Sequence, residues 1–463
     1  MPQPDSASLR HLTAAAGLAP GRFIADSRVR LGLADFLSDG TIALPLERFR
    51  GRSVLILCDR QLAFVRVLLQ LDGIAARLVL CPSDFDFAHL PAVTAEAEID
   101  AIVTDSADVT ACMGSGMPIT VCGHYPGEPE PARGTATEWI LFTSGTSDRP
   151  KLVAHTLASL TGPLEDGLAQ ASDVVWSTFY DVRRYGGMQI LLRGLVGGGS
   201  MVLSQADEPV ADFLGRAGAC GVTHISGTPS HWRRALMSAA TDRISPRYVR
   251  LSGEVADQAI LDNLAAAFPA AAISHAFAST EAGVAFDVGD GLAGFPAWLI
   301  DQAGAKAKAE LRLENGSLRI RSGRTASRYL GNRGVLRGPD GFVDTGDMIE
   351  VHAGRCHFAG RREGVINVGG QKVHPEEVEA VINRLPGVRM SRVRGRPSPI
   401  TGSLVVADIV MESSVGADSF KAMKAGILDA CRAALPAHKV PAILQAVASL
   451  DIAASGKLVR RHA

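Results

Sequence analysis

GRSVLILCDRQLAFVRVLLQLDGIAARLVLC, residues 51–81, reads as strand, helix, strand. GRSVLILC is an unbroken apolar run of strand length. RQLAFVRVLLQLDG carries the spacing of an amphipathic helix closed by glycine, and ARLVLC is a second short apolar strand. The pattern repeats along the chain: IDAIVTD (99–105), MPITVCG (117–123) and WILFTSGTS (139–147) read as further buried strands. GVTHISGTPSHWRRALM (221–237), RYVRLSGE (247–254), the helical ADQAILDNLAAAF (256–268) and AISHAFASTEAG (272–283) continue the alternation. Strands alternating with helices predict an α/β fold with a largely parallel sheet covered on both faces.

From about Gly289 the texture changes. AELRLENGSLRIRSG (309–323) places short alternating strands around Asn-Gly, the signature of a hairpin, so residues from about 290 to 358 are expected to form a small antiparallel β subdomain. After GRCHFAGRREG (354–364) the α/β pattern returns, with VHPEEVEAVINRL (373–385) as a helix entered at proline and SLVVADIVM (403–411) as a strand. A linker near residues 360–364 divides the expectation into an N-terminal domain, 1–360, and a smaller α+β domain, 361–463.

With 47 basic and 48 acidic side chains in 463 residues, the charge balance gives no electrostatic case for nucleic acid or an anionic membrane surface. No apolar run approaches the roughly 20 residues of a membrane span, and the first 20 residues lack the basic-then-apolar order of a signal peptide. The seven cysteines form no CxxC pair, and their odd number argues against a disulfide framework. A cytoplasmic protein with reduced thiols is the expectation.

The strand WILF runs into TSGTSDRPK (143–151). Thr143, Ser144, Thr146 and Ser147 offer hydroxyls, Gly145 lets backbone N–H groups approach closely, and Lys151 adds positive charge, all suited to phosphate oxygens. Taken alone, the stretch fits a solvated turn equally well, and it lacks the GxxxxGK[ST] of a P-loop. ASTEAG (278–283) also follows an apolar strand, and its Glu281 is a hard oxygen ligand suited to Mg²⁺ beside a triphosphate. DTGD (344–347), GRRE (360–363), INVGGQKVHPEEVE (366–379) and SGKLVRR (455–461) complete the series.

In that order these stretches resemble the motifs of the adenylate-forming superfamily of acyl-CoA synthetases, amino-acid adenylation domains and beetle luciferases, over roughly residues 50–460 and closest in look to acid–CoA ligases. The resemblance implies a large N-terminal domain, a hinge and a small mobile C-terminal domain carrying the catalytic lysine. It implies that Thr143–Ser147 and Lys151 hold the β- and γ-phosphates. Gly253, Glu254, Phe277, Ala278 and Ser279 would lie along the nucleotide, with Phe277 beside the adenine. Thr280 would contact the α-phosphate and Glu281 Mg²⁺, while Asp347 and Arg361 bind ribose. Lys457 would bridge the substrate carboxylate and the α-phosphate, Glu363 would be the hinge, and Gly369 and Gly370 would border the thiol path. The cosubstrates implied are ATP with Mg²⁺, a small carboxylic acid, and coenzyme A or the phosphopantetheine of an acyl carrier protein. The implied activity is an ATP-dependent acid–thiol ligase. Loading of a freestanding carrier protein, a degenerate adenylate-binding protein and luciferase-like oxidation are the competing readings.

Two departures stand out. Asp148 replaces a glycine usual in the phosphate loop and puts an acid near the phosphates. Asp344 replaces an arginine usual before Thr-Gly-Asp. For the acyl pocket, WSTFYDVRRYGGMQILLRGL (176–195) and HISGTPSHW (224–232) supply Phe179, Tyr180, Tyr185, Ser226 and Gly227. Arg183 and Arg184 suit a second carboxylate or a carrier's phosphate, with at least one of the two expected to face solvent. His224 and His275 read as core histidines, and Glu376, Glu377 and Glu379 as a solvated first helical turn.

Overall fold

The computed structural model describes residues 7–42, 44–106, 118–125, 135–143, 149–164, 173–300, 308–331, 334–398, 402–412, 417–453 and 456–459. Ser53–Leu57, the strand of the opening stretch, is buried at all five positions and runs parallel to Arg77–Leu80 on one side and Ala101–Thr104 on the other. A central parallel strand covered on both faces has no use for alternation, which is why its sequence is a continuous apolar run. It belongs to an eight-stranded sheet that continues through Glu138–Thr143 and the antiparallel Lys151–Thr156.

A second eight-stranded sheet runs in the order 283–288, 272–279, 248–252, 224–227, 175–178, 200–202, 23–25, 30–32. Its interior pairs are parallel and both outer pairs antiparallel. One core cluster joins Val54 and Ile56 of the first sheet to Ile24 and Met201 of the second through side chains of the helices Gln61–Leu71 and Tyr185–Val196. Each large apolar side chain buried there contributes on the order of 2 kcal/mol.

That arrangement corrects the reading of residues 61–71 as amphipathic. Only Ala63 and Arg66 escape full burial, as required of a helix wedged between layers. MPITVCG is also less buried than its composition suggests. Its strand, Ile119–Tyr125, is flanked by the short Gly40–Ile42 and leaves Val121 exposed.

A five-stranded antiparallel sheet follows, containing Glu310–Glu314 and Ser317–Arg321 as the expected hairpin. Asn315 and Gly316 both have positive φ, the conformation a two-residue type I′ turn requires. Beyond Arg361 the chain forms a hairpin (Ile366–Val368 and Gln371–Val373), the helix Pro375–Ile382, a three-stranded sheet and the helix Ala417–Ala434. These elements share a core of their own, with Val373, Val378, Ile409, Ile427 and Cys431 at its centre.

The first turn of the helix Pro375–Ile382 is not simply solvated. Glu379 is buried and accepts the Val393 N–H at 2.8 Å, and Glu377 pairs with Lys439 at 2.6 Å. Of the two core histidines expected, His275 is buried with Nε2 donating to the Leu292 carbonyl (3.0 Å), while His224 is half-buried beside Trp176. Among the described residues no helix is long and apolar enough to cross a membrane.

Candidate active site

The parallel strands of the second sheet end together, and the residues just past their C-terminal ends form one cleft, as open α/β sheets favour for ligands. Ser252 ends one strand, and Gly253 follows with φ +87. A side chain on Gly253 would meet Thr228 at 3.6 Å, Lys457 Cε at 3.7 Å and the Tyr180 hydroxyl at 3.9 Å. Residues distant in sequence therefore converge on one glycine.

Lys457 reaches this cleft from the far C-terminus. It is exposed to solvent although protein surrounds it, which describes an open cleft and not a packed interior. Its pKa lies below the ordinary lysine value, first because of that enclosure and next because Arg361 repels it, while Glu254, Asp347 and Glu281 pull the other way. All three carboxylates and Arg361 are thus within electrostatic reach of its ammonium group.

Asp347 and Arg361 sit directly opposite each other on the antiparallel strands Val343–His352 and Arg355–Arg361, with Nε and Oδ1 3.4 Å apart. Cross-strand register alone makes them a pair. Burial raises the Asp347 pKa, and Arg361 and Lys457 offset part of that rise. Asp344, the departure before Thr-Gly-Asp, accepts from Ser317 Oγ (2.6 Å) and the Gly346 N–H (3.0 Å) and pairs with Arg362 of the expected hinge (3.1 Å).

Thr143 and Lys151 are cross-strand partners on the antiparallel strands Glu138–Thr143 and Lys151–Thr156, and Lys151 Nζ lies 5.5 Å from the centre of the Tyr329 ring. Ser144, Gly145, Thr146, Ser147 and Asp148 lie outside the described residues. Tyr329 also approaches Glu281, its hydroxyl 3.5 Å from Oε1. The Thr280–Glu281 turn is held from behind by His155, whose Nε2 donates to the Thr280 carbonyl at 2.7 Å. Ala282 N–H donates to Ser279 Oγ at 2.9 Å. The Phe277 ring stacks at 5.3 Å on Phe358 and at 5.8 Å on Phe286, so its aromatic face is shared with the antiparallel sheet. Ala278 precedes the turn on the same strand.

The acyl-pocket candidates separate. Phe179 stacks on His231 (5.3 Å, 18° between planes) and lines a cavity of about 140 Å³ with Asp181, Arg183, Gln205, Arg234 and Ile452. Tyr180 is buried, its hydroxyl donating to the Ser252 carbonyl at 2.6 Å. Tyr185 is buried against His155, Ser226 is buried in its strand, and a Cβ on Gly227 would come within 2.7 Å of the Phe179 ring. The two arginines differ, and only Arg184 lies at the partly exposed surface. Arg183 is buried on Asp181 (2.7 Å), and Arg184 pairs with Asp84. Glu363 is exposed in a short 3₁₀ turn, and Gly369 and Gly370 form the exposed two-residue turn of a hairpin. Sequence reading gave no role to Thr228, His231, His155 or Tyr329, because each acts through contacts that no local motif encodes.

The enclosed histidines, one buried and two partly buried, predict an acid limit on stability. Burial pushes His155 and His224 down to about 4 and His231 to about 3, and raises Asp72 to about 6. A histidine whose folded pKa lies below its unfolded value leaves stability complete above about 6.5 and lost as pH falls through the window down to about 4. Asp72 works in reverse and adds stability as pH falls from about 6 towards 4. For His155, almost wholly buried, the loss is about 3 kcal/mol. Asp347 is raised by burial as well, but His275, His357 and His374 are lowered like the other three, so the histidines prevail and the urea midpoint is expected to fall between pH 7 and pH 4.5. An unchanged or higher midpoint at pH 4.5 would contradict this assignment.

The cleft, with its terminal lysine, cross-strand acid–arginine pair and strand-end glutamate, has the makings of a nucleotide-activating site, and comparison with known proteins agrees. Residues 49–306 match the family model of the AMP-binding enzymes, and residues 377–457 match that of the AMP-binding enzyme C-terminal domain. The chain belongs to the AMP-binding enzyme family. It is 24% identical to the 2-succinylbenzoate–CoA ligase of Bacillus velezensis over 435 residues, 88% of this chain and 81% of that protein. It is also 24% identical to tyrocidine synthase 3 of Brevibacillus parabrevis over 399 residues, 79% of this chain but only 6% of that much longer protein. Among solved structures it resembles the anthranilate CoA ligase AuaEII in complex with anthranoyl-AMP, with a TM-score of 0.79 at 17% identity, covering 98% of this chain and 96% of the other. A benzoate CoA ligase from Burkholderia xenovorans LB400 gives 0.78 at 19% identity, covering 98% of each chain. These structural likenesses establish the α/β fold with its smaller C-terminal part.

Proposed function

We infer that this protein is an ATP-dependent acid–CoA ligase, which joins a carboxylate to AMP with release of pyrophosphate and then passes the acyl group to coenzyme A. The observation that carries the reading is the place of Lys457, whose Cε lies 3.7 Å from where a Cβ on Gly253 would stand at the strand end, within electrostatic reach of Glu254, Glu281 and the Asp347–Arg361 pair. A carboxylate attacking an α-phosphate brings two negative groups together, and an ammonium group fixed where they meet stabilises the transition state more than the separated reactants. Asp347 accepts hydrogen bonds from ribose hydroxyls, and Arg361 beside it orients the sugar. Thr143, Lys151 and the loop between them hold the outer phosphates, and Thr280 meets the α-phosphate.

Glu281 fits a hard cation: its nearest hydrogen-bonding neighbour, Tyr329, is a weak 3.5 Å contact, so its oxygens are not committed to strong internal bonds. Mg²⁺ bound there supplies charge neutralisation for the leaving pyrophosphate. Glu281→Gln is accordingly expected to lower adenylation about tenfold or more and to raise the Mg²⁺ concentration needed for half-maximal rate, with the urea midpoint unchanged. Equal Mg²⁺ dependence in mutant and wild type would make Glu281 structural.

Residues 1–360 are assigned to nucleotide and acid binding and 361–463 to a C-terminal unit hinged at Glu363. The acid is proposed to be aromatic, following the substrates in the names of the relatives. Pyrophosphate release over a panel of aryl, aliphatic and dicarboxylic acids tests the activity. Parallel reactions with coenzyme A, with a phosphopantetheinylated carrier protein and with neither separate the acceptors.

A further inference from the structure

The backbone on either side of Lys457 is held by the N-terminal part of the chain. Thr228 Oγ1 donates to the Gly456 carbonyl at 2.6 Å, and Glu254 Oε1 accepts the Leu458 N–H at 2.7 Å. Both holding groups are built into the start of the helix Pro229–Leu236. Thr228 is its N-cap, accepting the His231 N–H at 3.0 Å, so its hydroxyl is used as donor and acceptor at once. The other oxygen of Glu254 accepts the Ser230 N–H in the helix's first turn at 2.9 Å, where the helix dipole favours a carboxylate.

The third element is steric. Gly456 has φ +77, and a Cβ there would lie 1.9 Å from His231 Cε1. The His231 ring cannot yield easily: Nδ1 accepts the Thr228 N–H at 3.2 Å, one face stacks on Phe179, and the edge of Tyr180 closes another side. Only glycine fits position 456 when the loop is seated.

We propose that Thr228, Glu254 and His231 form a dock that seats the Gly456–Leu458 backbone and so positions Lys457 for acyl-adenylate formation. Glu254 is thereby moved from the nucleotide-contact role expected of it to a positioning role, since both of its oxygens are engaged by backbone N–H groups. This rests on the reading of Lys457 as the adenylation lysine. The dock sets the fraction of molecules with the lysine in place, leaving its chemistry unchanged. Loss of the dock should therefore lower kcat for adenylation with little change in KM for ATP.

Two measurements test it on the full chain. Hydrogen exchange of the peptide covering residues 456–459 needs no substrate. Loss of a hydrogen bond to a charged group in Glu254→Ala should speed exchange there about tenfold, and Thr228→Val should do so to a similar extent. Thr228→Ser, which keeps the hydroxyl, should exchange like wild type. Unchanged exchange in both Glu254→Ala and Thr228→Val overturns the dock.

The second measurement separates the half-reactions, using benzoate for ATP–pyrophosphate exchange and synthetic benzoyl-AMP with coenzyme A for thioester formation. Gly456→Ala and Thr228→Val should lose pyrophosphate exchange and keep thioester formation, and Gly456→Ala placed on Lys457→Ala should add no further loss. A purely structural cap would depress both steps together, which would also overturn the proposal. If Lys457→Ala keeps wild-type exchange, the reading of the lysine fails. If Lys457→Ala is defective while Gly456→Ala is not, the dock alone fails.

Discussion

Lys457→Ala is expected to lose ATP–pyrophosphate exchange by on the order of 100-fold or more while converting pre-formed acyl-adenylate to thioester at close to the wild-type rate. The expectation follows from where charge develops. Before attack, the carboxylate and the α-phosphate are separate anions; as they join, negative charge concentrates between them, and an ammonium group held there acts chiefly on the transition state. In the second step the attack falls on the acyl carbon and not on the phosphorus, so an ammonium group fixed between carboxylate and α-phosphate has no comparable part in it. Because the lysine is exposed in its cleft and its pKa is lowered by enclosure and by Arg361, removing it leaves neither an unsatisfied partner nor a packing void. The mutant should therefore fold with unaltered stability, and urea midpoints check that point. Wild-type exchange in the mutant would remove Lys457 from the mechanism, and a parallel loss of both half-reactions would assign it a structural part.

Much of this site was legible before any geometry was known, and the limits of that legibility have physical causes. Asp347, Arg361 and Lys457 lie in short motifs whose order is informative, so they could be named from sequence. That Asp347 and Arg361 face each other is a matter of strand register, which no motif records. The seat of Lys457 was invisible because its parts, Thr228 and Gly456, are 228 positions apart. Local reading also misjudged charged side chains. Arg183 and Arg184 looked like candidates for a substrate anion, but each finds a carboxylate within the fold, Asp181 and Asp84. Glu379 looked like a solvated helical residue and proved to be a buried acceptor for the Val393 N–H. A charged residue near a helix start carries the same sequence signature whether water or backbone satisfies it. The helix Gln61–Leu71 failed for the converse reason: a layer on each side removed the polar face that periodicity implied.

Gly370 tests the second half-reaction, and the structure changes which substitution is informative. Gly369 and Gly370 have φ of +58 and +85 and connect Val368 to Gln371 in a two-residue hairpin turn, with the Gly370 N–H donating to Asn367 Oδ1 at 2.9 Å. That turn type by itself demands residues tolerant of positive φ. A leucine at 370 would strain the turn by on the order of 1 kcal/mol in addition to any effect on a thiol path. Asparagine adopts the left-handed conformation far more readily, so Gly370→Asn adds a side chain while keeping the turn. An added Cβ meets nothing within 4 Å in this arrangement of the chain, where Lys457 occupies the cleft. Pyrophosphate exchange is therefore expected to stay within about twofold of wild type in Gly370→Asn, since a surface substitution of this kind has little effect on stability. Thioester formation is expected to fall at least about tenfold: in the proposed two-step reading a hinge at Glu363 brings this turn to the cleft for the second step, and a side chain there narrows the space for the pantetheine arm. If thioester formation survives in Gly370→Asn and fails only in Gly370→Leu, the glycines serve the turn. If both half-reactions fall together in Gly370→Asn, the turn does not alternate with the lysine loop.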